Sequence, residues 1–135
     1  MYILVVDGQG GGVGRQLVQS LKNEMPDAFV MAVGTNSTAT SAMLKAGADA
    51  AATGENAVVV AARKADVIAG PIGIVIADSL YGEITAEMAL ATARSNAKRV
   101  LLPFQHCDNV IVGVGDYNIP HLVKMAVEEI KSLKI

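Results

Sequence analysis

The first twenty-three residues restrict the fold more than any other part of the chain. Residues 2–6, Tyr-Ile-Leu-Val-Val, are an unbroken apolar run. Asp7-Gly8-Gln9-Gly10-Gly11-Gly12-Val13-Gly14-Arg15 follows, with glycine at five of the seven positions from 8 to 14. A helix is expected from about Gly12 to Asn23, with Val13, Leu17, Val18 and Leu21 on one face. A buried strand that enters a glycine turn and leaves as an amphipathic helix is the first third of a βαβ unit.

The remainder alternates in the same way. Residues 28–33 read as a second strand, Thr38 to Ala46 as a helix ended by Gly47, and 48–52 as a short third strand. Glu55 to Lys64 reads as a helix, while Asp66 to Gly70 fits either an extended piece or a turn before Pro71. Gly73 to Ala77, Gly-Ile-Val-Ile-Ala, is the strongest strand signal in the second half, followed by a loop at 78–83 and a helix from Ile84 to Asn96. Val100 to Phe104 gives another strand. The linker 105–109 is too short for a helical crossover, so Val110 to Val114 is expected to return antiparallel as a hairpin. A last helix carries Pro120 in its first turn. The expected fold is thus α/β: a three-layer Rossmann-like sandwich with a mainly parallel six-stranded sheet in the order 3-2-1-4-5-6, the last strand antiparallel. At 135 residues the chain is expected to form one Rossmann-like nucleotide-binding domain, residues 1–135. Its apolar content is mostly aliphatic, with only 4% aromatic residues, as suits a sheet buried on both faces.

The glycine turn points to phosphate. Bare backbone N–H groups at a helix N-terminus bind anions, and side chains would block the approach. Gly8-x-x-x-Gly12-x-Gly14 matches the G-x-x-x-G-x-G spacing of nucleotide-binding folds. In this reading Gly8 permits the sharp exit from the strand, Gly12 admits a pyrophosphate, and Gly14 lets the helix pack. Arg15 is a cation in the first helical turn, where an anion would favour it. The candidate binding residues are Gly8, Gln9, Gly10, Gly11, Gly12, Val13, Gly14 and Arg15. Gly11 to Gln16 is also similar to the deviant Walker A segment of partition-type ATPases. Arg15 and Gln16 stand there in place of the lysine and hydroxyl that such a site needs for phosphate and Mg²⁺, which argues against ATP hydrolysis.

Thr35, Asn36 and Ser37, after the second strand, are candidate ribose contacts as well as helix caps. No acid stands there to take a ribose 2′-OH, which tilts the expected cofactor, NAD(P), toward NADP. The loop Asp78 to Glu83 leaves the carboxyl end of a strand, so Asp78 and Glu83 are candidate catalytic groups, with helix capping the plainer role for Glu83. His106 is a third catalytic candidate. His106 and Cys107 are adjacent and would face opposite ways on a strand, and metal-ligand spacing is missing, so no metal site is expected.

Over its full length the chain resembles an uncharacterised bacterial family of short Rossmann-like proteins that carries a domain-of-unknown-function label. The resemblance lies in Val5 to Gly14, Gly34 to Ser37, Ala69 to Ile74 and Gly82 to Thr85. The glycine loop alone is similar to that of short-chain dehydrogenases. Their Tyr-x-x-x-Lys pair is absent, since Val6, Thr85 and His121 stand four residues after the three tyrosines. The leading expectation is a small protein binding a dinucleotide, NAD(P), through Gly8–Gly14. Two others are a small oxidoreductase or transferase with a site completed at a subunit interface, and a ligand-free structural or interaction module. A net charge of −2 with no basic tract gives no support to a nucleic-acid or membrane partner. A cytoplasmic homo-oligomer, a dimer through the last strand or last helix, is expected, because Val110 to Val114 would be an unguarded edge.

Overall fold

A computed structural model of the chain describes residues 1–104 and 109–135. Five strands form one parallel sheet: β1 (Tyr2–Asp7), β2 (Phe29–Gly34), β3 (Ala50–Thr53), β4 (Val67–Pro71) and β5 (Lys98–Leu102), in the order β3-β2-β1-β4-β5. Among the described residues five helices accompany them: α1 (Gly12–Glu24), α2 (Ser37–Lys45), α3 (Glu55–Lys64), α4 (Ala86–Arg94) and α5 (Ile119–Ser132).

The sheet separates two cores, and β1 feeds both by simple alternation. Ile3 and Val5 pack with Leu17, Val18 and Leu21 of α1, Met43 of α2, and Val123, Val127 and Ile130 of α5. Leu4 and Val6 pack on the opposite face with Val58 of α3, Ile74, Ile84, and Met88 of α4. Period-two side chains on a strand buried from both sides produce the continuous apolar run at residues 3–6. β1 pairs with β2 on one side and β4 on the other, so chain order reverses beside it. The crevice beyond the carboxyl end of β1 is therefore the topological switch point, where open sheets of this type bind ligands.

Three sequence expectations need correction. The strand at 73–77 is absent; Ile72–Val75 is instead a 3₁₀ turn, and the fourth strand lies just before it, at Val67–Pro71. The reason is in the hydrogen bonds. The Gly73 carbonyl accepts from Ser79 Oγ, and the Ile74 carbonyl accepts from the buried Thr92 hydroxyl at 3.0 Å, so hydroxyls satisfy groups that a strand ladder would otherwise use. The second correction concerns the sixth strand. Residues 109–118 have no regular structure, and Val110 and Val112 are 79% and 93% exposed. Without an apolar partner their β-propensity has nothing to pack against. Third, the sheet has five strands among the described residues, all parallel, rather than six with the last reversed. No described helix is long and apolar enough to cross a membrane.

Candidate functional site

Three loops meet at the switch point. The β1–α1 loop is the glycine turn, the β2–α2 loop carries Thr35 and Asn36, and the segment after the 3₁₀ turn carries Asp78 to Glu83. One atom ties them together. Glu83 Oε1 accepts from the Gln9 N–H at 2.9 Å, the Thr35 hydroxyl at 2.5 Å and the Asn36 amide at 2.8 Å. Asn36 Nδ2 also donates to the Gln9 carbonyl at 2.9 Å, and its Oδ1 caps α2 by accepting from the Ala39 N–H. Burial alone would raise the Glu83 pKa. The donors from Thr35, Gln9 and Asn36 outweigh burial and hold the carboxyl below its ordinary value. Through these bonds Glu83 fastens the three loops to one another. Thr85, not Glu83, caps α4, accepting from the Met88 N–H at 3.1 Å.

Asp7 closes the inner side of the turn. It is 5% exposed, and its two oxygens accept from the Gly8 N–H at 2.8 Å and the Gly14 N–H at 2.7 Å. One α1 N-terminal donor is thereby used internally. The sequence reading left Asp7 without a role, although a carboxylate one residue before a glycine turn is the signal that could have suggested one.

The glycines divide into two groups. A Cβ on Gly8 would lie 2.7 Å from Thr35 Oγ1 and 3.0 Å from Glu83 Oε1, and one on Gly14 would lie 2.8 Å from the Asp7 Cβ. Gly11 has φ +72° and its added Cβ would meet the α2 backbone at Ala39. These three are required by the fold itself. Gly10 and Gly12 differ. A Cβ on either meets nothing within 4 Å, and neither has a left-handed φ. The N–H groups of Gly10, Gly12 and Val13 donate to no acceptor among the described residues. They border a cleft of about 190 Å³ formed by Asp7 to Val13, Pro71, Leu80 and Ile119.

The remaining candidates lie elsewhere. Arg15 and Ser37 line a separate surface groove with Thr38, Ser41 and Lys45, outside the cleft. Thr35 and Asn36 face Glu83. Asp78 holds a left-handed turn, φ +66°, and its N–H donates to the Ile84 carbonyl at 2.7 Å. His106 lies outside the described residues. No cluster of three or more potential metal-binding side chains occurs among the described residues. Pro71, Leu80 and Ile119, which form the cleft's apolar walls, were not foreseen; Pro71 at a strand terminus was the only local hint.

The fold and the cleft together define a parallel α/β protein with a glycine turn at the switch point. Residues 2–134 match the model of the domain of unknown function DUF3842, and the chain belongs to that family. No curated protein matches it. Among solved structures it is similar to a dodecameric FMN-dependent UbiX-like decarboxylase from Escherichia coli O157:H7. That match has 19% identity and a TM-score of 0.49, and covers 97% of this chain and 77% of the other.

The expected cofactor, NAD(P) with a tilt to NADP, does not stand. Within the chain itself, Thr35 and Asn36 are spent on Glu83, so they are not free to hold a ribose or a 2′-phosphate. A cleft of about 190 Å³ is also well short of the roughly 300–1,000 Å³ typical of small-molecule pockets. A dinucleotide needs more.

Proposed function

We propose that the chain is a small-molecule binding protein whose residues 1–135 act as one nucleotide-binding domain. In this reading the glycine turn takes the phosphate of a monophosphorylated ligand through the N–H groups of Gly10, Gly12 and Val13. The observation that carries the reading is the pair Gly10 and Gly12. Neither the backbone conformation nor the neighbouring atoms require glycine there. An interior reason is missing, so the reason lies outside the protein: a group that must come closer to the backbone than a methyl allows. Gly12 opens α1, where alanine would favour the helix more than glycine does, so a module without a ligand would gain nothing from a bare position there beside N–H groups that find no acceptor among the described residues.

The test uses that asymmetry. Gly12→Ala and Gly10→Ala should fold with an unchanged or slightly raised melting temperature, because the added methyl meets open space. Both should weaken binding of AMP or FMN at least tenfold by calorimetry or fluorescence titration. If the folded wild-type protein binds neither compound, nor ribose 5-phosphate at millimolar concentration, the reading fails.

A further inference from the structure

Gln9 is the odd residue of the glycine turn. The Gly11 N–H donates to the Gly8 carbonyl at 2.9 Å, so Gln9 occupies the first central position of a tight turn, with φ +51°. Glycine, asparagine or aspartate ordinarily fills a left-handed place of this kind. Both chain neighbours, Gly8 and Gly10, are glycine, yet this position carries a long side chain. Surrounding bonds enforce the strained backbone. The Gln9 N–H donates to Glu83 Oε1 at 2.9 Å, and the Gln9 carbonyl accepts from Asn36 Nδ2 at 2.9 Å.

Those two bonds also orient the residue. Gln9 lines the cleft, whereas Glu83 and Asn36 do not. With its N–H and carbonyl turned toward them, Gln9 has its Cα and side chain left to face the cleft. The carboxamide makes no hydrogen bond among the described residues, although it carries two donor hydrogens and an acceptor oxygen. No other side chain of the lining offers the same. The glycines have none, and Val13, Pro71, Leu80 and Ile119 are apolar. The Asp7 oxygens accept from the Gly8 and Gly14 N–H groups.

Resting on the function proposed above, we infer that the Gln9 side chain is a specificity-determining group: its carboxamide exchanges hydrogen bonds with hydroxyls on the carbons beside the ligand's phosphate. A hydroxyl both donates and accepts, as a carboxamide does, and burying one against apolar walls without a partner is unfavourable. The ligand class is therefore a phosphomonoester of a sugar or polyol rather than of a plain alkyl chain. The strain at Gln9 is retained for that side chain, since glycine would hold the backbone freely.

Calorimetric titration of wild type, Gln9→Gly and Gln9→Ala with ribose 5-phosphate and with n-butyl phosphate tests the assignment. Wild type should bind ribose 5-phosphate more tightly than butyl phosphate. Both variants should lose roughly 3- to 10-fold for ribose 5-phosphate, the size of one neutral hydrogen bond, and stay within twofold for butyl phosphate. Gln9→Gly should melt at or above the wild-type temperature, because its φ suits glycine. In wild type the Gln9 side-chain amide resonances should shift with ribose 5-phosphate and hold still with butyl phosphate. Unchanged ribose 5-phosphate affinity in both variants overturns the role of Gln9 while leaving the phosphate site intact. An equal loss for both ligands also overturns it, by assigning Gln9 to the shape of the turn. Failure of folded wild type to bind either ligand removes the underlying reading as well.

Discussion

Glu83→Ala is the substitution that best separates a fastened site from a loose one. Glu83 Oε1 accepts three hydrogen bonds from two loops, with partners 74, 48 and 47 residues away in sequence. A hydrogen bond to an ionised group contributes about 1.5–3 kcal/mol, and three donors sharing one part-buried oxygen do not add fully. Water can replace part of what is lost, so the expected loss is about 2–4 kcal/mol. For a chain of this length that lowers the melting temperature by roughly 10 °C. Glu83→Gln keeps an acceptor oxygen and loses the charge, so it should fall between the two.

The pH dependence has a fixed sign. The folded pKa of Glu83 lies below its ordinary value of 4.5. Its stabilisation is therefore complete above that value and is lost as pH falls through the folded pKa. Thermal or urea unfolding between pH 7 and pH 3 should show a larger acid loss for wild type than for Glu83→Gln. Asp49 remains as a second acid-sensitive group in both proteins, its pKa lowered by the Val30 N–H and by Lys22. An alanine variant melting within 2 °C of wild type at pH 7, with unshifted Gln9 and Asn36 amide resonances, would refute this account of the site.

Two further outcomes are expected. Thr92→Val removes the hydroxyl that donates to the buried Ile74 carbonyl while keeping the side chain's shape, and should cost about 1–3 kcal/mol in urea unfolding; no measurable change would mean that the 3₁₀ turn does not depend on it. The outer edge of β5 has no strand partner among the described residues and lies beside an apolar groove formed by Val100, Leu102, Val114 and Met125. A homodimer of twice the 14.0 kDa protomer is expected by light scattering at micromolar concentration, and Val112→Lys should weaken it; a monomeric wild-type mass would contradict this.

Local sequence carried most of the scaffold. The β1–α1 unit was legible because one strand shows a continuous apolar run and its helix a single apolar face, both of which follow directly from the layers they enter. The order around β1 was legible because the glycine turn marks a topological switch, which places β2 on one side of β1 and β4 on the other. The fourth strand was not. Val67 to Pro71 is short and ends in Gly70 and Pro71, which left it open between an extended piece and a turn, yet a Cβ on Gly70 would collide with the Val6 carbonyl of the neighbouring strand. Glycine there serves close strand approach. Gly73 to Ala77 has the stronger β-propensity, but the hydroxyls of Ser79 and Thr92 that claim its carbonyls are invisible without the tertiary fold. In the candidate site, glycine density marked the turn that lies at the switch point, but it could not say which glycines answer to close neighbours and which face open space. The role of Glu83 was equally hidden, since its partners lie on distant loops.

On the function proposed above, the charge around the cleft limits which phosphorylated ligand it takes. None of the described residues that line it is Lys or Arg, and Arg15 lies in another groove. What remains to attract an anion is the α1 N-terminus and three N–H groups, and a helix terminus contributes about 0.3–1 kcal/mol, up to about 2 in partly buried geometry. A second and third phosphate would bring further charge with no cation in the lining to meet it, and they would extend the ligand beyond about 190 Å³ of cleft. Affinity should therefore fall in the order AMP, ADP, ATP, the reverse of a site built around a phosphate-binding lysine and Mg²⁺. Adding Mg²⁺ should not restore ATP binding, since no described cluster of acids is placed to hold the ion. Titration of the three nucleotides at fixed ionic strength decides the matter: ATP binding tighter than AMP would show that cations outside the described residues, or a partner chain, complete the site.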